Sequence, residues 1–319
     1  EKVRVSEVGL GTWQLGGGWG SVDDATAQQI LHTAVDNGVN FLDTADVYGD
    51  GLSEKRIKQF LQSREEDVFV ATKLGRRGDP GWPQNFTYEA LRQHTEDSLQ
   101  RLGVEALDLT QLHCIPTAEY RKGEVFDHLR RLREEGKIKR FGVSVESMEE
   151  ALICLEQDDL YSLQIIFNIF RQKPIETLFA KAQAQKVALI VRLPLASGLL
   201  AGKFTAETTF GEDDHRNYNQ DGEAFNVGET FAGLPFKHGV AVAEQIKPLV
   251  PETMTMAQMA MRWVLDYEAV SVIIPGATKI KQVEDNTAVS ELPPLSDELH
   301  AKLTEIYAEQ VHDHIRGPY

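Results

Sequence analysis

Asp24-Ala25-Thr26-Ala27-Gln28-Gln29-Ile30-Leu31-His32-Thr33-Ala34-Val35-Asp36-Asn37-Gly38-Val39-Asn40-Phe41-Leu42-Asp43 carries the rule by which the whole chain folds. Residues 24–36 set Ile30, Ala34 and Val35 along one helical stripe, and Asn37-Gly38 is a natural C-terminal stop. The run that follows, Val39 to Leu42, is short and apolar and ends on a polar residue, Asp43. Similar runs recur at 68–71, 106–112, 138–143, 162–166, 188–191 and 269–274, with a weak eighth at 233–236. Their hydrophobicity is continuous rather than alternating, which suits strands covered on both faces. Helical patterns lie between them at 87–101, 124–135, 147–156, 175–185 and 256–267, and Ser147 with Glu150 reads as a capping box. Strand–helix alternation repeated about eight times implies a parallel sheet. No linker rich in Pro, Gly or Ser divides the chain. The expected fold is therefore α/β, a single (β/α)8 TIM barrel over residues 1–319 with extra C-terminal helices. Val3-Arg4-Val5 and Val8-Gly9-Leu10 read as a short N-terminal β-hairpin. The irregular stretch from Lys203 to Pro235 is long enough to be a functional lid.

Composition narrows the function. The 319 residues hold 33 Lys+Arg against 49 Asp+Glu, a formal charge of −16. Such a chain repels polyanions, so neither nucleic acid nor an anionic membrane surface is an expected partner. No apolar window is long enough to span a bilayer, and the first residues lack a signal-peptide pattern. Two cysteines, Cys114 and Cys154, without CxxC spacing suit a reducing cytoplasm.

In such barrels the chemistry sits at the C-terminal ends of the strands. Down the chain those ends are Asp43, Lys73, His113, Ser144, Gln164 with Asn168, Arg192 and Pro275-Gly276. An Asp, a Lys and a His closing three consecutive strands converge on one mouth. No HExxH, GxSxG or GxGxxG motif is present. Gly9-x-Gly11 lacks its third glycine, and Gly16-Gly17-Gly18 runs into Trp19, which disfavours a Rossmann dehydrogenase. His312-x-His314 reads as surface, and no metal is expected.

Residues 38–49, Gly-Val-Asn-Phe-Leu-Asp-Thr-Ala-Asp-Val-Tyr-Gly, resemble the aldo-keto reductase signature in their F-x-D-T-A-x-x-Y-G core, Phe41 to Gly49. Ala71-Thr72-Lys73, Gln111-Leu112-His113, Gly142-Val143-Ser144, Gln164-x-x-x-Asn168, residues 194–203 (PLASGLLAGK) and residues 274–279 (IPGATK) follow in the family's order. The chain is thereby identified as similar to the bacterial, broad-specificity NADPH-dependent members. That resemblance implies a carbonyl reductase using NADPH (NADP+) on a small-molecule carbonyl substrate. Its tetrad would be Asp43, Tyr48, Lys73 and His113. Tyr48 would be the general acid, with its pKa of about 10 lowered by the Lys73 ammonium, which Asp43 holds in place. His113 would hydrogen-bond the carbonyl oxygen. Ser144, Gln164 and Asn168 would meet the carboxamide, and Leu195, Ser197, Gly198 and Lys203 the pyrophosphate. Gly276, Thr278, Lys279, Gln282 and Asn286 would hold the phosphorylated adenosine. Trp13 would line the substrate pocket, with Trp19 and Trp82 in reach of the same mouth.

Two departures from the family pattern stand out. Val145 follows Ser144 where an asparagine is usual, and Arg192 stands where a tyrosine stacks on the nicotinamide. A guanidinium there is expected to stack on the ring and favour the reduced, neutral form. Cys114 beside His113 reads as a packed cysteine rather than a nucleophile. The cations that matter, Lys73, Arg192, Lys203 and Lys279, are expected at the mouth, with the acidic excess elsewhere. Two alternatives remain open on sequence alone: a cofactor-binding regulatory subunit with slow catalysis, and a metal-dependent hydrolase using Asp43, Asp46 and His113. The sequence makes no prediction of oligomeric state.

Overall fold

The computed structural model describes residues 3–17 and 19–319; Glu1, Lys2 and Gly18 lie outside them. Eight parallel strands run in the order β1 to β8: β1 (Leu10–Gly11), β2 (Phe41–Asp43), β3 (Phe69–Leu74), β4 (Leu109–His113), β5 (Phe141–Ser144), β6 (Ser162–Ile166), β7 (Ala188–Arg192) and β8 (Val270–Ile273). Parallel bridges from Val8 to Ile273 and from Gly11 to Gly276 close the sheet into a barrel. The helices between strands are α1 (Asp24–Asp36), α2 (Leu52–Gln62), α3 (Tyr88–Leu102), α4 (Thr117–Lys122), α5 (Glu124–Glu134), α6 (Met148–Cys154), α7 (Pro174–Thr177), α8 (Phe179–Gln185), α9 (His215–Tyr218), α10 (Phe236–Ile246) and α11 (Met256–Leu265). After β8 come α12 (Ile280–Thr287) and α13 (Asp297–Ile306). No helix among the described residues is long and apolar enough to cross a membrane.

The continuous apolar runs conceal a two-residue alternation that the barrel uses. Phe41, Ala71, Leu109, Ile190 and Val272 pack together inside the barrel as its apolar floor. Two residues further along four of these strands stand Asp43, Lys73, Gln111 and Arg192, so those strands turn from apolar floor to polar mouth on their inner face, while β8 leads on to the apolar Ile274. The outer faces join the helix layer in a second, larger core.

The predicted hairpin is absent from the described residues. Its second arm is the first barrel strand, paired in parallel with both β2 and β8. The reason is steric: a Cβ at Gly11 would lie 2.6 Å from the Ile274 carbonyl oxygen, so two glycines let this segment wedge between its neighbours. The weak strand at 233–236 is instead a 3-10 turn leading into α10. The expected helix over 175–185 is two, α7 and α8, broken at Leu178. The capping box at α6 is half formed. Ser147 Oγ accepts from Glu150 N, but the Glu150 carboxylate takes the Glu146 N–H instead.

Candidate active site

At the mouth, Lys73 is 1% exposed and its three ammonium protons are all used. Its Nζ donates to Asp43 Oδ1 at 2.5 Å, to the Thr44 carbonyl at 2.9 Å and to Tyr48 Oη at 3.1 Å. Asp43 is held in turn from its other oxygen, which accepts from Gln164 Nε2 at 2.8 Å and Gln111 Nε2 at 3.2 Å. Tyr48 arrives from the turn after β2. That turn lies flat against the loop after β1 because both contact positions are glycines: a Cβ at Gly16 would sit 2.5 Å from the Tyr48 carbonyl carbon, and Gly49 has φ +61°. The Tyr48 and His113 rings meet edge to face at 5.9 Å. The tetrad expected from sequence is thus assembled in space.

Its electrostatics differ from the expectation in one respect. Burial raises the Tyr48 pKa above the ordinary 10.0; Lys73 pulls it down, but Asp43 and Glu229 push it back up. Burial, the largest effect, outweighs the ammonium, whose pull the two carboxylates also oppose, so the phenol is held protonated rather than acidified. Burial would lower the Lys73 pKa, yet Asp43 and Tyr48 bring it above its ordinary value and the ammonium stays charged. Burial, together with Arg76, Lys73 and Arg192, holds His113 well below 6.5, leaving a neutral imidazole.

A cleft of about 480 Å³ opens over these groups. Its wall includes Trp13, Asp43, Tyr48, His113, Gln164, Arg192, Leu195, Ser197, Gly198, Lys203, Gly276, Thr278 and Gln282. Lys73 lies behind Tyr48. Ser144 sits between His113 and Gln164 in the ladder, with its hydroxyl 3.5 Å from Cys114 Sγ, and does not line the cleft. Asn168 ties its own loop to the next, donating to the Leu193 carbonyl after β7 and accepting from Phe170 N. Lys279 and Asn286 stand at the start and in the body of α12, behind Thr278 and Gln282.

The cleft suits an extended dinucleotide. Gly198 has φ +98°, and a Cβ there would fall 2.8 Å from Phe204, so the loop after β7 exposes bare backbone to the cleft. Lys203 and Lys279 are exposed and have no carboxylate partner among the described residues, in a chain where most cations have one. Arg216, which sequence reasoning missed, stacks on Trp19 at 4.7 Å and reaches to 3.7 Å from the Cβ position of Gly198. Nothing in its local sequence marks it, because only the fold returns residues 203–235 over the mouth.

The same segment brings an unforeseen carboxylate. Glu229 is 5% exposed; one oxygen lies 3.5 Å from Arg192 NH1 and the other 3.5 Å from Arg76 NH2, which also donates to Glu146 at 3.1 Å. Burial and Glu229 push the Glu146 carboxyl up to about 7. Two carboxylates thus stand among the cations of the mouth. Arg192 does not reach into solvent: its NH2 donates to the Val145 carbonyl at 3.3 Å. Cys114 is buried with its pKa raised by burial, an inert thiol. Trp13 and Tyr48 stack at 6.1 Å, and Trp19 and Phe225 complete an aromatic wall, whereas Trp82 donates to the Gly75 carbonyl and lies off this cleft. Asp43, Asp46 and His113 form no liganding group among the described residues, since Asp46 pairs with Arg77 at 3.0 Å. Cys114, Glu146 and Glu229 do approach one another, but the Arg76 guanidinium already bridges the two carboxylates.

Barrel and mouth together define an oxidoreductase of the (β/α)8 class. The family model described as Aldo/keto reductase family matches residues 7–308, and the chain belongs to that family. It is 30% identical over 302 residues to the aldo-keto reductase YhdN of Bacillus subtilis, covering 91% of this chain and 86% of that protein. It is 28% identical over 304 residues to the NADH-specific methylglyoxal reductase of Escherichia coli, covering 90% of each. The solved glycerol dehydrogenase AKR11B4 of Gluconobacter oxydans superposes with a TM-score of 0.80 at 30% identity, over 100% of this chain and 96% of that one. The protein is accordingly an NAD(P)H-dependent oxidoreductase.

Proposed function

We propose that the protein reduces small carbonyl compounds, aldehydes above all, with NADPH, and that Tyr48 is the proton donor. The observation that carries this reading is the Lys73 ammonium, buried between Asp43 and the Tyr48 hydroxyl at the floor of the cleft. When bound, NADPH supplies the hydride for the carbonyl carbon. The Tyr48 hydroxyl donates its proton to the carbonyl oxygen as negative charge develops there, and Lys73 stabilises the phenolate left behind. Asp43 keeps Lys73 charged and aimed. His113, neutral at working pH, donates one N–H to the same oxygen and orients the substrate. Gln164 would receive the carboxamide, Leu195, Ser197, Gly198 and Lys203 the pyrophosphate, and Gly276, Thr278, Lys279, Gln282 and Asn286 the phosphorylated adenosine; Ser144 and Arg192 would flank the ring. The unpaired Lys279 supports NADPH over NADH, because a 2′-phosphate gives that ammonium a partner.

The aromatic wall of Trp13, Trp19 and Phe225, beside Arg76 and Glu229, supports a compact substrate carrying other oxygens. Two free, buried cysteines suit a reducing cytoplasm. An intact tetrad favours turnover over a purely regulatory binding role. The test is Tyr48→Phe, assayed over a carbonyl panel with NADPH and NADH in parallel. Turnover should nearly vanish with the dissociation constant for NADPH unchanged; more than half the original rate would refute the assignment.

A further inference from the structure

Glu229 reaches the mouth from the lid-like segment 203–235, far in sequence from the tetrad, and is almost completely enclosed. It is the one carboxylate in contact with Arg192 among the described residues, and it shares itself with Arg76. Its own backbone is bolted to the loop after β7. The Ser197 hydroxyl donates to the Glu229 carbonyl at 3.1 Å and accepts from Phe231 N at 3.1 Å. Burial alone would neutralise the carboxyl, but Arg192 and Arg76 bring its pKa below the ordinary value, so it stays ionised. Arg192, held on its other side by the Val145 carbonyl, has little freedom to find a different counter-charge.

We infer that the Arg192–Glu229 pair sets the preference of the site for oxidised against reduced nicotinamide, with Glu229 acting as the counter-charge that makes NADP+ tolerable beside Arg192. This rests on the reading that the nicotinamide lies at the ends of β6 and β7. The oxidised ring is a cation and the reduced ring is neutral, so a fixed charge nearby acts on one form only. A lone guanidinium there disfavours NADP+, a lone carboxylate favours it, and the pair nearly cancels. Glu229 contacts Arg192 rather than the ring, so it acts by its charge at a distance, and its placement depends on residues 203–235 lying closed over the mouth.

The experiment measures dissociation constants of NADP+ and NADPH, without substrate, by quenching of the tryptophans that line the cleft. The variants are Glu229→Gln, Arg192→Gln and the two combined. The ratio Kd(NADP+)/Kd(NADPH) is expected to rise about tenfold in E229Q, to fall about tenfold in R192Q, and to return near its original value in the double variant. A merely structural role would weaken both cofactor forms by one factor in each variant, leaving the ratio still; that result, or a shift of the same sign in both single variants, overturns the inference. If the unaltered protein bound neither form, the cofactor reading itself would fall, and this inference with it.

Discussion

Replacing Asp43 by asparagine is the most discriminating single perturbation of this molecule. Asp43 and Lys73 are 2% and 1% exposed and 2.5 Å apart, so the substitution leaves a buried ammonium without its counter-charge. It also creates a hydrogen-bond conflict. If the new amide oxygen faces Lys73, its NH2 group is aimed at Gln164 and Gln111, both of which donate to Asp43 Oδ2 through their own NH2 groups. Breaking one half of a buried pair costs about 3–5 kcal/mol, whereas an exposed pair is worth at most about 1 kcal/mol. Asp43→Asn should therefore lower the unfolding free energy by about 3–5 kcal/mol in urea at neutral pH, and turnover by about a hundredfold or more. Adding Lys73→Met removes the orphaned charge. The double variant should regain most of the stability and none of the activity. A loss below about 1 kcal/mol, or a double variant no more stable than the single one, would refute the view that this pair is a buried, mutually dependent charge site.

Two further outcomes follow from the same geometry. If Tyr48 is the proton donor proposed above, its pKa, raised by burial above 10.0, means that the rate of reduction should be lost only as pH rises through a value above 10.0; a midpoint below 10.0 in a pH–rate profile contradicts this. Removing the unpaired ammonium with Lys279→Met should weaken NADPH about tenfold while leaving NADH nearly unchanged, as read by cofactor titration; equal weakening of both would place the 2′-phosphate elsewhere.

Much of this was legible in advance because barrel strands report their inner face by period two. Each strand that starts apolar and ends polar points its last inward side chain into the mouth, and Asp43, Lys73, His113, Gln164 and Arg192 could be read off for that reason. The hairpin was misread because Val8-Gly9-Leu10-Gly11 is too short to show a period, and its glycines describe a close approach to β8 that local sequence does not contain. Glu229, Arg76 and Arg216 were missed for a related cause. They are ordinary charged residues on irregular segments, and their burial arises only where those segments meet.

The order of strands and helices and the residue at each strand end are properties of the sequence, since each depends on neighbours a few positions away. The charge state of the site is not. Tyr48 stays protonated because Asp43, Lys73 and Glu229, scattered along the chain, are brought within electrostatic range in a water-poor cleft. There burial raises the phenol's pKa most, the Lys73 ammonium pulls it down, and the Asp43 and Glu229 carboxylates oppose that pull. Which charges face one another, and hence what the mouth tolerates, was decided by tertiary structure.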